Sequence, residues 1–246
     1  NVALTVTNNR GCKDTVQQQV TSYAKPTADF SAPVVCRPEA TPFTDQSTVA
    51  RGSLQDWSWD FESGSGSSTQ QNPSYTFPEG GTYDPQLIVT TDQSCKDTVT
   101  RSVTVNPRPA PGFTVNDTCL NDPTTFKDTS DIKSGTITSR EWQLGNGTAV
   151  NNNQRFTYTY GKPQAYQPKL IATSDKGCVD STTRTATVQF LPEADFSSDT
   201  VCFGKKTSFS DSSAVRNSTI ADWQWSFGDG QQATAQNPQN AYPGGG

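Results

Sequence analysis

The sequence predicts an all-β chain of tandem β-sandwich modules, and three observations predict it. First, many residue types recur at one interval of 83 positions: Cys12, Cys95 and Cys178; Cys36, Cys119 and Cys202; Trp59, Trp142 and Trp225; Phe43, Phe126 and Phe209; Leu54, Ile137 and Ile220; Pro26, Pro109 and Pro192. So many types in one frame mean copies of a single domain of about 80 residues, an ordinary domain size. Second, no segment carries an apolar stripe of helical period, and the mean hydropathy is low. Third, Gly, Pro and Asn punctuate the chain at intervals of about ten residues, the spacing of short strands joined by turns. An array of alike modules serves reach or display rather than chemistry.

The strands follow in order. Phe30, Phe113 and Phe196 mark a first strand A. Strand B carries Phe43, Phe126 or Phe209 into a polar turn of form D-x-S, at 45–47, 128–130 and 211–213. Strand C alternates most clearly: Trp57, Trp59 and Phe61 share the face that must be the core, while Ser58 and Asp60 take the other. The third copy repeats this with Trp223, Trp225 and Phe227, whereas the second has Arg140, Trp142 and Leu144. Late in each copy Tyr83 or Tyr166 opens strand F, with Leu87 and Val89, or Leu170 and Ala172, facing inward. A tight turn at the cysteine leads into strand G, Val99 to Val105 in the first complete copy. About seven short strands with a Tyr at the start of F describe an immunoglobulin-like sandwich.

The period sets the domain frames: strands F and G of one module at 1–26, complete modules at 27–108 and 109–191, and strands A to E of another at 192–246. The connectors SYAKP, VNPRPAP and VQFLPEA are short and contain Pro, which restricts tumbling. Modules stacked end to end advance by about 35 Å each. Reading AYPGGG at 241–246 into NVALTVTNNRGCKDTV at 1–16 nearly reproduces FPEGGTYDPQLIVTTDQSCKDTV at 77–99. The chain therefore reads as an internal window of a longer protein. The core face of Trp223, Trp225 and Phe227 then needs strands F and G, from residues 1–26 of a neighbouring copy or from a downstream segment.

The chain has no His and no Met, no apolar run approaching the roughly 18 residues of a membrane span, and no basic-then-apolar leader. A net charge of -5 argues against nucleic acid, whose phosphates are bound by Lys and Arg. Cys12, Cys36, Cys95, Cys119, Cys178 and Cys202 lack C-x-x-C spacing and read as structural disulfides in an oxidising exterior, with buried free thiols as the alternative. The A-B and F-G connections of a sandwich lie at opposite poles, and a bond needs Cα atoms within about 7 Å. Head-to-tail stacking pairs Cys36 with Cys178; a much shorter strand A instead allows Cys36 with Cys95 and Cys119 with Cys178. Either scheme leaves Cys12 and Cys202 to partners elsewhere.

Without His there is no Ser-His-Asp triad and no imidazole base, which leaves paired carboxylates such as Asp60 and Glu62. Gln143 and Gly145 replace that pair in the second copy, so it reads as solvated surface, and no catalytic residue, cofactor site or metal site is expected. The GNG and GDG turns at 145–147 and 228–230 are β-turn signals rather than phosphate loops, because they follow a strand and precede no helix. Asp229 is a hard oxygen ligand for calcium, but no dense acidic cluster surrounds it in sequence. Trp59, Trp142 and Trp225 read as core fillers rather than sugar-stacking platforms.

WSWDFESGSG at 57–66, WQWSFGDG at 223–230, the pairs Asn72-Pro73 and Asn237-Pro238, and FPEGGTYDPQLIVTT at 77–91 resemble the polycystic kidney disease (PKD) domain. Its signature is roughly W-x-F-G-D-G, then N-P-x-x-x-Y, then G-x-Y-x-V-x-L-x-V. The second copy departs with WQLGNG and no Asn-Pro pair, and the first has Glu-Ser where Gly-Asp is usual. The added V-C-x-G and G-C-x-D-T motifs resemble the cysteine-containing subtype of large adhesins secreted by the type IX route of gliding bacteria. The resemblance implies a non-enzymatic, disulfide-braced stalk, adhesin shaft or filament on a bacterial surface, with further repeats as partners and weak multivalent contact to glycans or other cells. Its alternative is a spacer or accessory carbohydrate- or protein-binding module of a secreted hydrolase. It also implies O-glycosylation at D-[ST]-aliphatic/Thr motifs, here Thr15, Thr98, Ser181 and Thr200. N-x-[ST] sequons stand at Asn116, Asn146 and Asn217.

Overall fold

A computed structural model describes residues 1–61, 66–151 and 154–243, which contain strands and no helix. The chain divides into two compact units, one of residues 1–109, 132–137 and 173–179, the other of residues 110–131, 138–172 and 180–246.

In the first repeat a four-stranded sheet runs Lys96–Thr100, Gln86–Thr91, Leu54–Asp60, Ser67–Ser68. Leu54–Asp60 is the expected strand C, and its ladder sets Trp59 opposite Leu87 and Trp57 opposite Val89. A second sheet runs Gly81–Tyr83, Val103–Asn106, Val35–Cys36, with the last pair parallel. Two strands drawn whole from the sequence are therefore divided, strand F into Gly81–Tyr83 and Gln86–Thr91 around Pro85 and strand G at Arg101 and Ser102, and the connection after strand A (Phe30–Ser31) holds a short strand of its own, Val35–Cys36, beyond Pro33. Proline has no N–H to give a ladder, so it sits where a strand leaves one sheet for the other. Tyr83 consequently lies in a different sheet from Leu87, not at the head of the same strand.

The second repeat recurs to the same plan, with Ile137–Gln143 between Ala149–Asn151 and Lys169–Ser174, and Thr118–Cys119 parallel to Ala186–Gln189. Its Thr124–Asp128 is central between Phe113–Val115 and Arg155–Tyr158.

Alternation buries the residues that hold each sandwich shut. The first core gathers Phe30, Phe43, Trp59, Phe61, Phe77, Leu87 and Val89, the second Phe113, Phe126, Trp142, Leu144, Tyr160 and Leu170. Trp59 and Trp142 are fully enclosed. Phe30 meets the Trp59 ring edge-on at 5.1 Å and Phe113 meets Trp142 in the same way at 5.1 Å. Each such side chain contributes about 1.5–3 kcal/mol by burial. Trp57 is only half-buried, packed on the margin of the core rather than within it.

Residues 192–243 carry the same aromatic arrangement uncovered. Phe196 meets Trp225 edge-on at 5.2 Å, yet Phe196 is 58% exposed where Phe30 is 2%. Trp225–Ser226 pairs with Gln232–Ala233 in a sheet of two strands. At the other end of the chain β1 (Val2–Thr7) and β2 (Lys13–Gln18) form an antiparallel hairpin with Leu4 opposite Val16, exposed along its length.

Candidate functional site

The D-x-S turns are built alike in all three repeats. Asp45 Oδ1 accepts the Ser47 backbone N–H at 3.0 Å, and the Ser47 hydroxyl donates to the Asp29 carbonyl at 3.2 Å, tying strand B to strand A. Ser213 makes the same pair of bonds to Asp211 and Asp195. The second carboxylate oxygen is held from strand C: Trp57 Nε1 donates to Asp45 at 2.7 Å and Trp223 Nε1 to Asp211 at 2.8 Å. In the second repeat the Arg140 guanidinium donates to Asp128 in a largely buried ion pair. Arg140 is thus no anomaly. The position calls for an N–H donor aimed at one carboxylate, and indole or guanidinium meets that need. Burial by itself raises the Asp45 pKa, but bonds from Ser47, Gln71 and Trp57 outweigh it and hold the carboxyl below the usual value. Asp128 is held down against burial by Ser130 and Arg140. Asp211, bonded by Ser213 first and then Trp223 and Gln236, is lowered to about 2. These carboxylates are saturated acceptors, which suits a brace and not a general base.

Cys36 and Cys178 are joined by a disulfide, with Cα atoms 5.6 Å apart across 142 positions of sequence. Both lie in the first compact unit, which takes in residues 173–179 of the second repeat along with the first repeat. Val35–Cys36 is placed for this by its parallel pairing with Val105 and Asn106; Cys178 occupies the turn after Lys169–Ser174, where its N–H donates to Ser174 Oγ at 3.1 Å. Cys178 is buried. Around the bond, Arg108 Nε donates to the Val179 carbonyl at 3.1 Å and Lys133 pairs with Glu79 at 3.3 Å on the surface. Cys12, Cys119 and Cys202 are exposed free thiols and Cys95 a half-exposed one.

The remaining sequence-predicted residues are distributed over the surface. Thr15, Thr98, Ser181 and Thr200 are exposed. The Thr15 and Ser181 amides each donate to the carboxylate of the preceding Asp, at 2.9 and 2.7 Å. Asp97, also bonded by the Thr98 amide, accepts in addition from Lys25 at 2.6 Å and from the Ala28 amide at 2.9 Å, fastening the connector to its own repeat. The Lys25 bond is the chief reason its pKa is lowered. Asp229 is engaged by Asn240 Nδ2 at 2.8 Å and by the Gln231 amide at 2.9 Å. Among the described residues no three acidic or thiol groups converge as metal ligands. Of the carboxylate pair, Glu62 lies outside the described residues.

A family model described as PKD domain matches residues 23–107, 105–190 and 189–246. The chain belongs to the PKD domain family. Among solved structures it is similar to the PKD1 domain of Vibrio anguillarum Epp, with 27% identity over 35% of this chain and 99% of that one and a TM-score of 0.33. It is also similar to the PKD1 domain of the Vibrio cholerae metalloprotease PrtV, with 27% identity over 33% of this chain and 98% of that one and a TM-score of 0.31. A titin I-band fragment, I67-I69, is 10% identical over 84% of this chain and 86% of its own, with a TM-score of 0.40. The protein is thus a run of tandem PKD modules, and no helix among its described residues is long and apolar enough to cross a membrane.

Proposed function

We propose that these PKD modules, with frames at 1–26, 27–108, 109–191 and 192–246, form a non-catalytic structural segment of an extracellular bacterial surface adhesin, stalk or filament. One observation carries the reading: the Cys36–Cys178 disulfide ties the first repeat to a turn of the second. A flexible spacer gains nothing from such a clip, whereas a shaft loses the freedom to bend at that joint. Disulfides of this kind persist in oxidising compartments, which supports an extracellular location. Short Pro-containing connectors work in the same direction. The exposed Asp-Thr and Asp-Ser motifs and the repeated surfaces suit glycosylation and weak multivalent contact with glycans or other cells, where affinity comes from copy number. The subtype resemblance extends this reading to type IX secretion and gliding bacteria.

The test is rotational. NMR relaxation on residues 1–246 gives separate correlation times for the 27–108 and 109–191 repeats. Equal, long values in the oxidised protein that shorten and diverge on reduction support the shaft; independent tumbling in the oxidised protein contradicts it.

A further inference from the structure

Asn146-Gly147 is the one Asn-Gly pair in the sequence, and it sits in the turn that joins Ile137–Gln143 to its antiparallel partner Ala149–Asn151. Both residues are exposed, and Gly147 has a φ of +89° with nothing within 4 Å of where a Cβ would stand. No side chain of its own crowds the main-chain nitrogen that follows Asn146. The Asn146 side chain is held at both ends: Oδ1 accepts the Thr148 backbone N–H at 3.1 Å, and Nδ2 donates to the Tyr158 hydroxyl at 2.9 Å. The Thr148 hydroxyl lies 3.3 Å from that same Tyr158 oxygen. The side-chain amide thus has an N–H donor on its carbonyl oxygen and a phenol on its nitrogen. Bonds from Thr148 and then Asn146 hold the Tyr158 phenol below its usual pKa, which makes it a readier proton donor.

The third repeat builds the same turn around a carboxylate. Gly228 and Gly230 have φ of +82° and +89°, against +78° and +89° at Gly145 and Gly147. Asp229 Oδ1 accepts the Gln231 N–H at 2.9 Å, as Asn146 Oδ1 accepts that of Thr148. Asp229 Oδ2 takes a bond from Asn240 at 2.8 Å, and Asn240 holds the register place of Tyr158, the first opposite Thr207 and the second opposite its equivalent Thr124. A carboxylate at position 146 therefore fits this turn, with the Tyr158 hydroxyl changed from acceptor to donor.

We propose that Asn146 is a self-processing site, whose own turn converts the side-chain amide to a carboxylate by way of a succinimide and so adds a negative charge to the folded repeat. The Gly147 nitrogen gives its proton to water and bonds to Asn146 Cγ. The Thr148 N–H stabilises the oxyanion that forms on Oδ1, and Tyr158 passes its proton to Nδ2 as the Cγ–Nδ2 bond breaks. Ammonia leaves, and Tyr158 regains a proton from solvent. A water molecule then opens the ring, its OH going to Cγ and its remaining proton to the Gly147 nitrogen, which restores the ordinary main chain. The sum is amide plus water giving carboxylate plus ammonium, with no change of oxidation state. Opening at the other carbonyl gives isoaspartate, which inserts a methylene into the main chain and pulls apart the 2.9 Å bond from the Leu144 N–H to the Thr148 carbonyl. Ordinary aspartate is therefore the favoured product, and the charge accumulates with the age of the molecule.

The experiment incubates the folded chain at neutral pH and follows the tryptic peptide 141–155, released by cleavage after Arg140 and Arg155, by mass and fragmentation. A parallel incubation in urea gives the rate for the same sequence without the turn. Expected is conversion at Asn146 that is faster in the folded chain than in urea, passes through a species lacking ammonia and ends mainly in aspartate, with the Asn residues at 151–153 of the same peptide lagging behind. Tyr158→Phe lowers the folded rate about tenfold or more and leaves the urea rate unchanged. Asn146→Asp, which supplies the product directly, melts at the temperature of the unaltered chain. Conversion slower in the folded chain than in urea overturns the proposal, since the turn then shields Asn146. So does a folded rate indifferent to Tyr158→Phe, or isoaspartate as the main product. The comparison of folded chain with urea needs no variant, so it decides the matter even where Tyr158→Phe loosens the repeat.

Discussion

Removing the Cys36–Cys178 clip, by Cys36→Ser with Cys178→Ser, has a mechanical consequence that follows from its sequence separation. The bond closes a loop of 142 positions. A fully extended chain spans about 3.4 Å per residue, so the intact bond withholds roughly 480 Å of contour length from an applied pull. Chain entropy for a loop of this size limits the stabilisation to about 5 kcal/mol. The neighbouring contacts cannot replace it: Lys133 and Glu79 are both well exposed, a kind of pair worth about 0–1 kcal/mol. Single-molecule force spectroscopy of residues 1–246, anchored at both ends, reads the contour length before and after reduction. Full unfolding of the oxidised protein falls short of the double variant by about 480 Å. A shortfall of only about 200 Å, the length locked by a Cys36–Cys95 bond, refutes the reasoning. So does no shortfall at all.

Arg140→Met leaves the largely buried Asp128 without its charged partner and is expected to cost about 3 kcal/mol in urea unfolding, while Arg140→Trp, which restores the donor of the other repeats, recovers most of it. Asp45, Asp128 and Asp211 all have folded pKa values below the unfolded value, so their contribution is complete above about pH 4 and is lost as pH falls toward the folded values, about 2 for Asp211. Replacing all three by Asn flattens the stability profile between about pH 4 and 2, measured by denaturant midpoints; an unchanged slope contradicts the bonding described. Gly145 has a φ of +78°, and a Cβ there lies 2.8 Å from the Gln167 backbone nitrogen, whereas Gly147 has a φ of +89° with open space around it. Gly145→Ala therefore destabilises by about 2 kcal/mol or more and Gly147→Ala by about 1 kcal/mol, a ranking that thermal melts of the two variants test.

Much of this was legible because the repeat multiplies each signal. A tryptophan at 59 alone is ambiguous; tryptophans at 59, 142 and 225 in one register mark a position the fold requires, and the first two are enclosed cores. The alternation of Trp57, Trp59 and Phe61 located strand C, but it overstated the burial of Trp57, because an indole can lie along the core margin when its N–H reaches a carboxylate. Reading that position for apolarity made Arg140 look like a departure. Reading it for N–H donors facing the D-x-S turn would have joined Trp57, Arg140 and Trp223 at once. The divided strands were harder to see, since a proline within a strand-like run marks either an end or a change of sheet, and the choice depends on which neighbour accepts the next hydrogen bonds. Head-to-tail stacking of the modules pairs Cys36 with Cys178, and that is the disulfide formed, but spacing alone left the Cys36–Cys95 scheme open. The choice depends on how the parallel strand Val35–Cys36 and the turn at Cys178 approach each other.

The central claim, that successive PKD modules are clipped into one mechanical unit, is tested most directly by non-reducing peptide mapping of the chain after export to an oxidising compartment, with free thiols blocked before digestion. The account predicts a peptide pair containing Cys36 and Cys178, together with blocked Cys95. A pair containing Cys36 and Cys95, or Cys12 and Cys36, contradicts it.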